Sequence, residues 1–205
     1  MENRGISFSK YGAPLSRRSI LGGACVLSAM AFTEQASGVR LCATTNGFSF
    51  VVTDNRFSPS IDFGQRLSSG GSERLEVTKG LTKLWSERLA PHWRAPTGAV
   101  AGLTSWAVWE GLSEQSYGQF RHARIIGTHE FDLATNASSH DLTIENRTDA
   151  ILADPQLRGA KWPLAIARHA VSCVNEPRDN DQTCRVGAPM LESRETLRLI
   201  SWIIV

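Results

Sequence analysis

From residue 48 onward the apolar positions switch between two spacings. Residues 48–53 (Phe-Ser-Phe-Val-Val-Thr) form an aromatic, β-branched run that closes on Asp54, the signature of a strand. Residues 60–69 carry Ile61, Phe63 and Leu67 and end in Ser68-Ser69-Gly70-Gly71-Ser72, a cluster of chain-turning residues. Residues 74–78 alternate like a short strand. Leu81, Leu84, Trp85 and Leu89 then recur at helical spacing, with Pro91 as the expected stop. Residues 98–104 are small and apolar and predict a buried strand. Residues 106–118 are helical in pattern through Val108, Trp109, Leu112 and Tyr117, and residues 122–128 predict a further strand around Ile125-Ile126.

Strands alternating with helices of this length predict an α/β fold, with right-handed crossovers between parallel strands. The expectation is one three-layer domain over residues 39–205 with a mainly parallel sheet. An α+β domain with part of its sheet antiparallel is the second choice. The C-terminal third is less regular. Residues 141–145 suggest a strand, and residues 163–174 a helix with Pro163 in its first turn, where a missing donor does no harm. Residues 197–205 are so apolar and β-branched that a buried final strand is expected.

The N-terminus follows other rules. Residues 16–21 read Ser-Arg-Arg-Ser-Ile-Leu, and residues 20–32 are apolar but diluted by Gly22, Gly23, Ala24 and Ser28. Thirteen such residues suit the core of a removable signal and are too few to span a bilayer. Ser16, Arg17, Arg18 and Leu21 match the twin-arginine (Tat) signal pattern S-R-R-x-F-L-K, with Ile20 standing in for Phe and Gly22 departing from Lys. The segment resembles the signals of that family. Ala29-Met30-Ala31 offers a cleavage site, and Ala36-Ser37-Gly38 a second one. The resemblance implies a periplasmic bacterial protein. It would fold before the Tat translocase carries it across, around a cofactor or bound to a partner.

Charge and cysteine content then narrow the picture. The net charge of +2 is set by the first 31 residues, where Arg4, Lys10, Arg17 and Arg18 face only Glu2. The remainder is about one charge negative and holds three lysines, so a basic footprint for nucleic acid is missing. With 41% hydrophobic residues, disorder and collagen-like structure are excluded. Beyond the signal stand Cys42, Cys173 and Cys184. Cys173 and Cys184 bracket ten residues, including Pro177 and Arg178-Asp179-Asn180-Asp181. In an oxidising compartment this reads as a disulfide-closed loop, and otherwise as two buried thiols. Cys42 is left over.

No phosphate loop, dinucleotide fingerprint or nucleophile elbow is present, which disfavours nucleotide cofactors in their commonest loops and leaves the cofactor unknown. In a parallel sheet, ligands gather beyond the carboxyl ends of the strands. That rule points to Asp54 and Arg56 after the first strand, Lys79 after the second, Thr104 after the third and His129 after the fourth. Asp54 is expected to orient His129 as a proton shuttle, with Arg56, Lys79 and Thr104 binding ligand. His129, Glu130, Asp132, His140 and Asp141 lie close enough in sequence for a metal to be considered, but neighbours on a strand face opposite ways. The six tryptophans fit helix–sheet packing or an aromatic pocket. Two function classes follow: a small exported ligand-binding protein or enzyme using that rim, or a non-catalytic accessory protein exported with a redox partner.

Overall fold

The computed structural model describes residues 46–205 apart from 78–79, 96–97, 133–134, 136, 145–150, 176–181 and 188–195. The expected signal with Arg17 and Arg18, Cys25, Cys42 and Lys79 lie outside the described residues. Strand β1 (Phe48–Thr53) leads through helix α1 (Ser58–Ser68) to β2 (Glu73–Glu76). A helical stretch follows: α2 (Leu81–Leu84), a π turn (Trp85–Leu89) and α3 (Ala90–Trp93). Next come β3 (Ala99–Thr104), α4 (Trp106–Tyr117), β4 (Ala123–Asp132) and β5 (Ser138–Ile144). A 3-10 turn (Pro155–Arg158), α5 (Trp162–Asn175), β6 (Gln182–Val186) and β7 (Thr196–Ile204) complete the chain. Pro91 does not end its helix. The π turn in front of it shifts the hydrogen-bond register where Pro91 has no N–H to give.

The seven strands form one sheet in the order β2-β1-β3-β7-β4-β5-β6. The α/β class is as expected; the mainly parallel sheet is not. Only β1–β2 and β1–β3 pair in parallel, while β3–β7, β7–β4, β4–β5 and β5–β6 are antiparallel. The physical reason lies in β7 and in the turn after β4. Antiparallel to both neighbours, β7 inserts between β3 and β4, so β4 runs in the direction of β3 without touching it. The turn after β4 then returns the chain as a hairpin.

β7 bears out the buried final strand. Ile200, Trp202 and Ile204 join one core cluster while Leu199 and Ile203 join another, as alternation along a strand requires. The cluster of Leu199 and Ile203 also holds Phe63 and Leu67 of α1 with Ile166 and Ala170 of α5. The cluster of Ile200, Trp202 and Ile204 holds Leu84, Trp93, Trp109 and Leu112 from the helices between β2 and β4. A side chain on Gly102 of β3 would meet the indole of Trp202 at 2.2 Å, so glycine there lets the largest buried ring lie against the strand.

The cysteine loop is overturned. Cys173 sits in α5 and Cys184 in β6 opposite Leu142, and no disulfide joins them. Pairing of β6 with β5 fixes Cys184 in a strand, where a loop had been expected. Among the described residues, no helix is long and apolar enough to cross a membrane.

Candidate functional site

The order β2-β1-β3 places a change of winding direction at β1, with chain leaving it toward β2 and returning on its other side as β3. The carboxyl ends of β1 and β3 flank that point, the place where open α/β sheets take ligands. Ser60 of α1 ties the two ends together: its hydroxyl accepts the Asp54 N–H (2.8 Å) and donates to the Leu103 carbonyl. Asp54 is fully buried, and both its oxygens hold the Arg56 guanidinium, at 2.8 and 2.6 Å. The Arg56 backbone N–H adds a third bond at 3.2 Å. The carboxylate bond and charge raise the Arg56 pKa further, so the guanidinium is a permanent cation, two-thirds exposed. It borders an open hollow of about 470 Å³ with Asn55, Val77, Gly80, Leu81 and Val108. Helix α4 begins beside this hollow, and its N-cap Ser105 makes no side-chain capping bond.

The other expected members of the rim lie elsewhere. Thr104 is buried; its hydroxyl accepts the Trp202 indole N–H at 2.9 Å and donates to the Ser105 carbonyl at 3.3 Å. It packs the sheet and does not present a donor to a ligand. His129 is not at a strand end, because β4 continues to Asp132. The strands of Asp54 and His129 are separated by β3 and β7, three strand spacings or about 14 Å. Their bonding partners are also disjoint, so Asp54 does not orient His129.

His129 belongs instead to a buried polar chain. It stands directly opposite His140 in the β4–β5 ladder, with the two Nδ1 atoms 3.0 Å apart. His129 Nε2 lies 2.8 Å from Ser201 Oγ, and His140 Nε2 lies 2.9 Å from the Leu157 carbonyl. The proton positions follow from these partners. A carbonyl only accepts, so His140 carries its proton on Nε2 and accepts at Nδ1. His129 therefore donates from Nδ1, and its Nε2 takes the Ser201 hydroxyl proton. Trp162 stacks on His129 with ring centroids 4.9 Å apart. Burial, and then the neighbouring His140, push the His129 pKa well below its ordinary 6.5. Burial above all brings His140 down to about 4. Both rings are neutral at neutral pH.

Serine, histidine and a second orienting histidine are wired here with the polarity of a nucleophile and its base. Yet Ser201, His129 and His140 are each 0% exposed, and they do not line the hollow beside Arg56. The acidic neighbours are engaged away from the rings: Glu130 holds Arg198, and Asp141 holds Arg185 at 2.6 Å. Among the described residues no group of three His, Cys, Asp or Glu side chains is arranged to hold a metal. Sequence reasoning missed Ser201 and the pairing of the histidines. The signal for the pairing was the shortness of the connection between residues 132 and 138, which leaves β4 and β5 to pair as a hairpin and sets His129 against His140.

No family model, curated protein or solved structure matches the chain.

Proposed function

We propose that this is an exported three-layer α/β binding protein that takes a small anionic ligand in the hollow at the carboxyl ends of β1 and β2, with Arg56 as its cation. The observation that carries the reading is the placement of the Arg56 guanidinium. Held by both oxygens of a buried carboxylate, it borders an open hollow beside the winding change of the sheet. Pre-positioning lowers the ordering cost of binding, and the planar guanidinium suits a carboxylate or phosphate. The uncapped first amides of α4 supply further donors on the same side. The apolar walls Val77, Leu81 and Val108 suit a ligand with a hydrocarbon part.

A thermal-shift screen of the exported protein against phosphate and small mono- and dicarboxylates tests it. Hits should raise the unfolding midpoint, and Arg56→Gln should weaken them about tenfold or more, while His129→Gln leaves them intact. An Arg56→Gln variant that binds every hit as the parent does overturns the assignment.

Export rests on Arg17 and Arg18. Their replacement by Lys-Lys should leave full-length protein in the cytoplasm, and normal periplasmic delivery of that variant contradicts the Tat reading.

A second reading, an accessory protein docking a partner, is favoured by Phe120. This aromatic is 95% exposed and holds a left-handed backbone (φ 57°) that side chains seldom adopt.

A further inference from the structure

The histidine pair in the antiparallel part of the sheet has no role in the binding reading, yet its surroundings single it out. His129 and His140 meet beneath a cover made by the 3-10 turn, which offers the Leu157 carbonyl, and by the first turn of α5, which lays Trp162 over both rings. All three partners are dry: Leu157 and Ser201 are 0% exposed and Trp162 is 4% exposed. Every proton in the Ser201–His129–His140–Leu157 chain is already assigned, and the chain runs in one direction.

One additional proton can be seated on His129 Nε2 only if the Ser201 hydroxyl turns to the Gly127 carbonyl, 3.3 Å away. The product is an imidazolium in a water-free site. Trp162 stacked above it offsets part of the cost, but a buried charge without an opposite partner costs several times more than such a contact returns. A second proton, on His140 Nδ1, sets N–H against N–H across 3.0 Å.

Among the described residues no unpaired opposite charge relieves this. His169 of α5 is a further ring whose charge would repel His129. Asp141 attracts His140 but is bound to Arg185, and Glu130 is bound to Arg198. On the cover, Asp154 is occupied by Arg168 and the Gln156 N–H, while Arg158 and Lys161 are exposed cations. The remaining relief is hydration of the rings, which requires the cover to move.

We propose that the His129–His140 pair is an acid-operated latch. The 3-10 turn and the first turn of α5 stay docked on β4 and β5 while both rings are neutral, and lift when the pair takes up a proton, leaving β1, β2 and β3 folded. The latch does not depend on the ligand site: β3 and β7 separate the two, and no residue is shared between them.

Hydrogen exchange of the full chain, read by mass spectrometry at pH 7 and pH 5 and corrected for intrinsic rates, tests this. Peptides from residues 155–165 should exchange at least about tenfold faster at the lower pH, while peptides of β1 and β3 change less than about twofold. Loss of protection everywhere at once, or no change down to pH 4, overturns the latch. In the double variant His129→Gln/His140→Gln the acceleration should vanish, and a double variant that keeps it also overturns the proposal. Should that variant fail to fold, histidine nitrogen spectra of the parent protein decide. His129 protonated at Nδ1 and His140 at Nε2 until the cover opens is the predicted result. Rings that titrate near 6.5 under a protected cover contradict it.

Discussion

The two parts of the sheet handle polar residues in opposite ways. In the parallel part, β3 is buried at every position and holds no titratable group, and the charged residues Asp54 and Arg56 stand just beyond the end of β1. In the antiparallel part, His129, His140 and Ser201 lie inside the strands and face one another across the ladder. A polar group past the end of a strand can turn toward a ligand; one within a strand must find its partners inside the protein or be left unsatisfied. Position relative to a strand boundary, more than residue type, separates the Asp54–Arg56 rim from the buried relay.

Trp202 offers the hardest way to break the comparison, because β7 joins the two parts. Its indole packs against Gly102 and Trp109 and donates to Thr104. Trp202→Ala should cost about 3–5 kcal/mol in denaturant unfolding and leave a single transition. Two resolved transitions would show that the parts fold independently.

Acid comes next. An unfolded histidine binds its proton near pH 6.5, whereas folded His140 does so near 4, so the unfolded state holds more protons in between. Stability is therefore full above about pH 6.5, falls as pH drops through that value, and levels off below about 4. The loss assigned to His140 is about 3 kcal/mol, and His129 shifts in the same direction. Chemical unfolding at a series of pH values measures it; a flat profile between pH 7 and 4.5 would remove the contrast between rim and relay.

The smallest effect is expected at the rim. Asp54→Asn keeps the side-chain oxygen but removes the charge holding a largely exposed guanidinium, so it should cost about 1 kcal/mol or less. Ligand affinity should fall, because Arg56 loses its support. A large drop in the melting point without change in affinity would make Asp54 a packing residue.

Much of the fold was legible because it rests on local periodicity. β1, β3, α4 and α5 lie within a residue or two of where the apolar spacing puts them, and β7 was marked by its β-branched content. Strand order was not legible. Nothing in residues 197–205 says that this strand enters between β3 and β4, because that choice depends on the edge left open by the earlier strands. The end of β4 was misplaced by four residues, from 128 to 132. That shift alone carried His129 from a rim into the core. The placement of Asp54 and Arg56 just past β1 was legible because they follow the best-patterned strand. Thr104 follows an equally clear one, yet its hydroxyl is claimed by Trp202, a partner 98 residues away that local spacing cannot reveal.

Backbone amide spectra of the protein, recorded while inorganic phosphate and acetate are titrated in, test most directly whether the proposed ligand seat is the rim and the histidine relay is closed. The account predicts progressive shifts at Asn55, Arg56, Gly80 and Val108, with His129, His140 and Ser201 unmoved at neutral pH. Shifts confined to Gly127, His129, His140 and Ser201, with the rim silent, would contradict it.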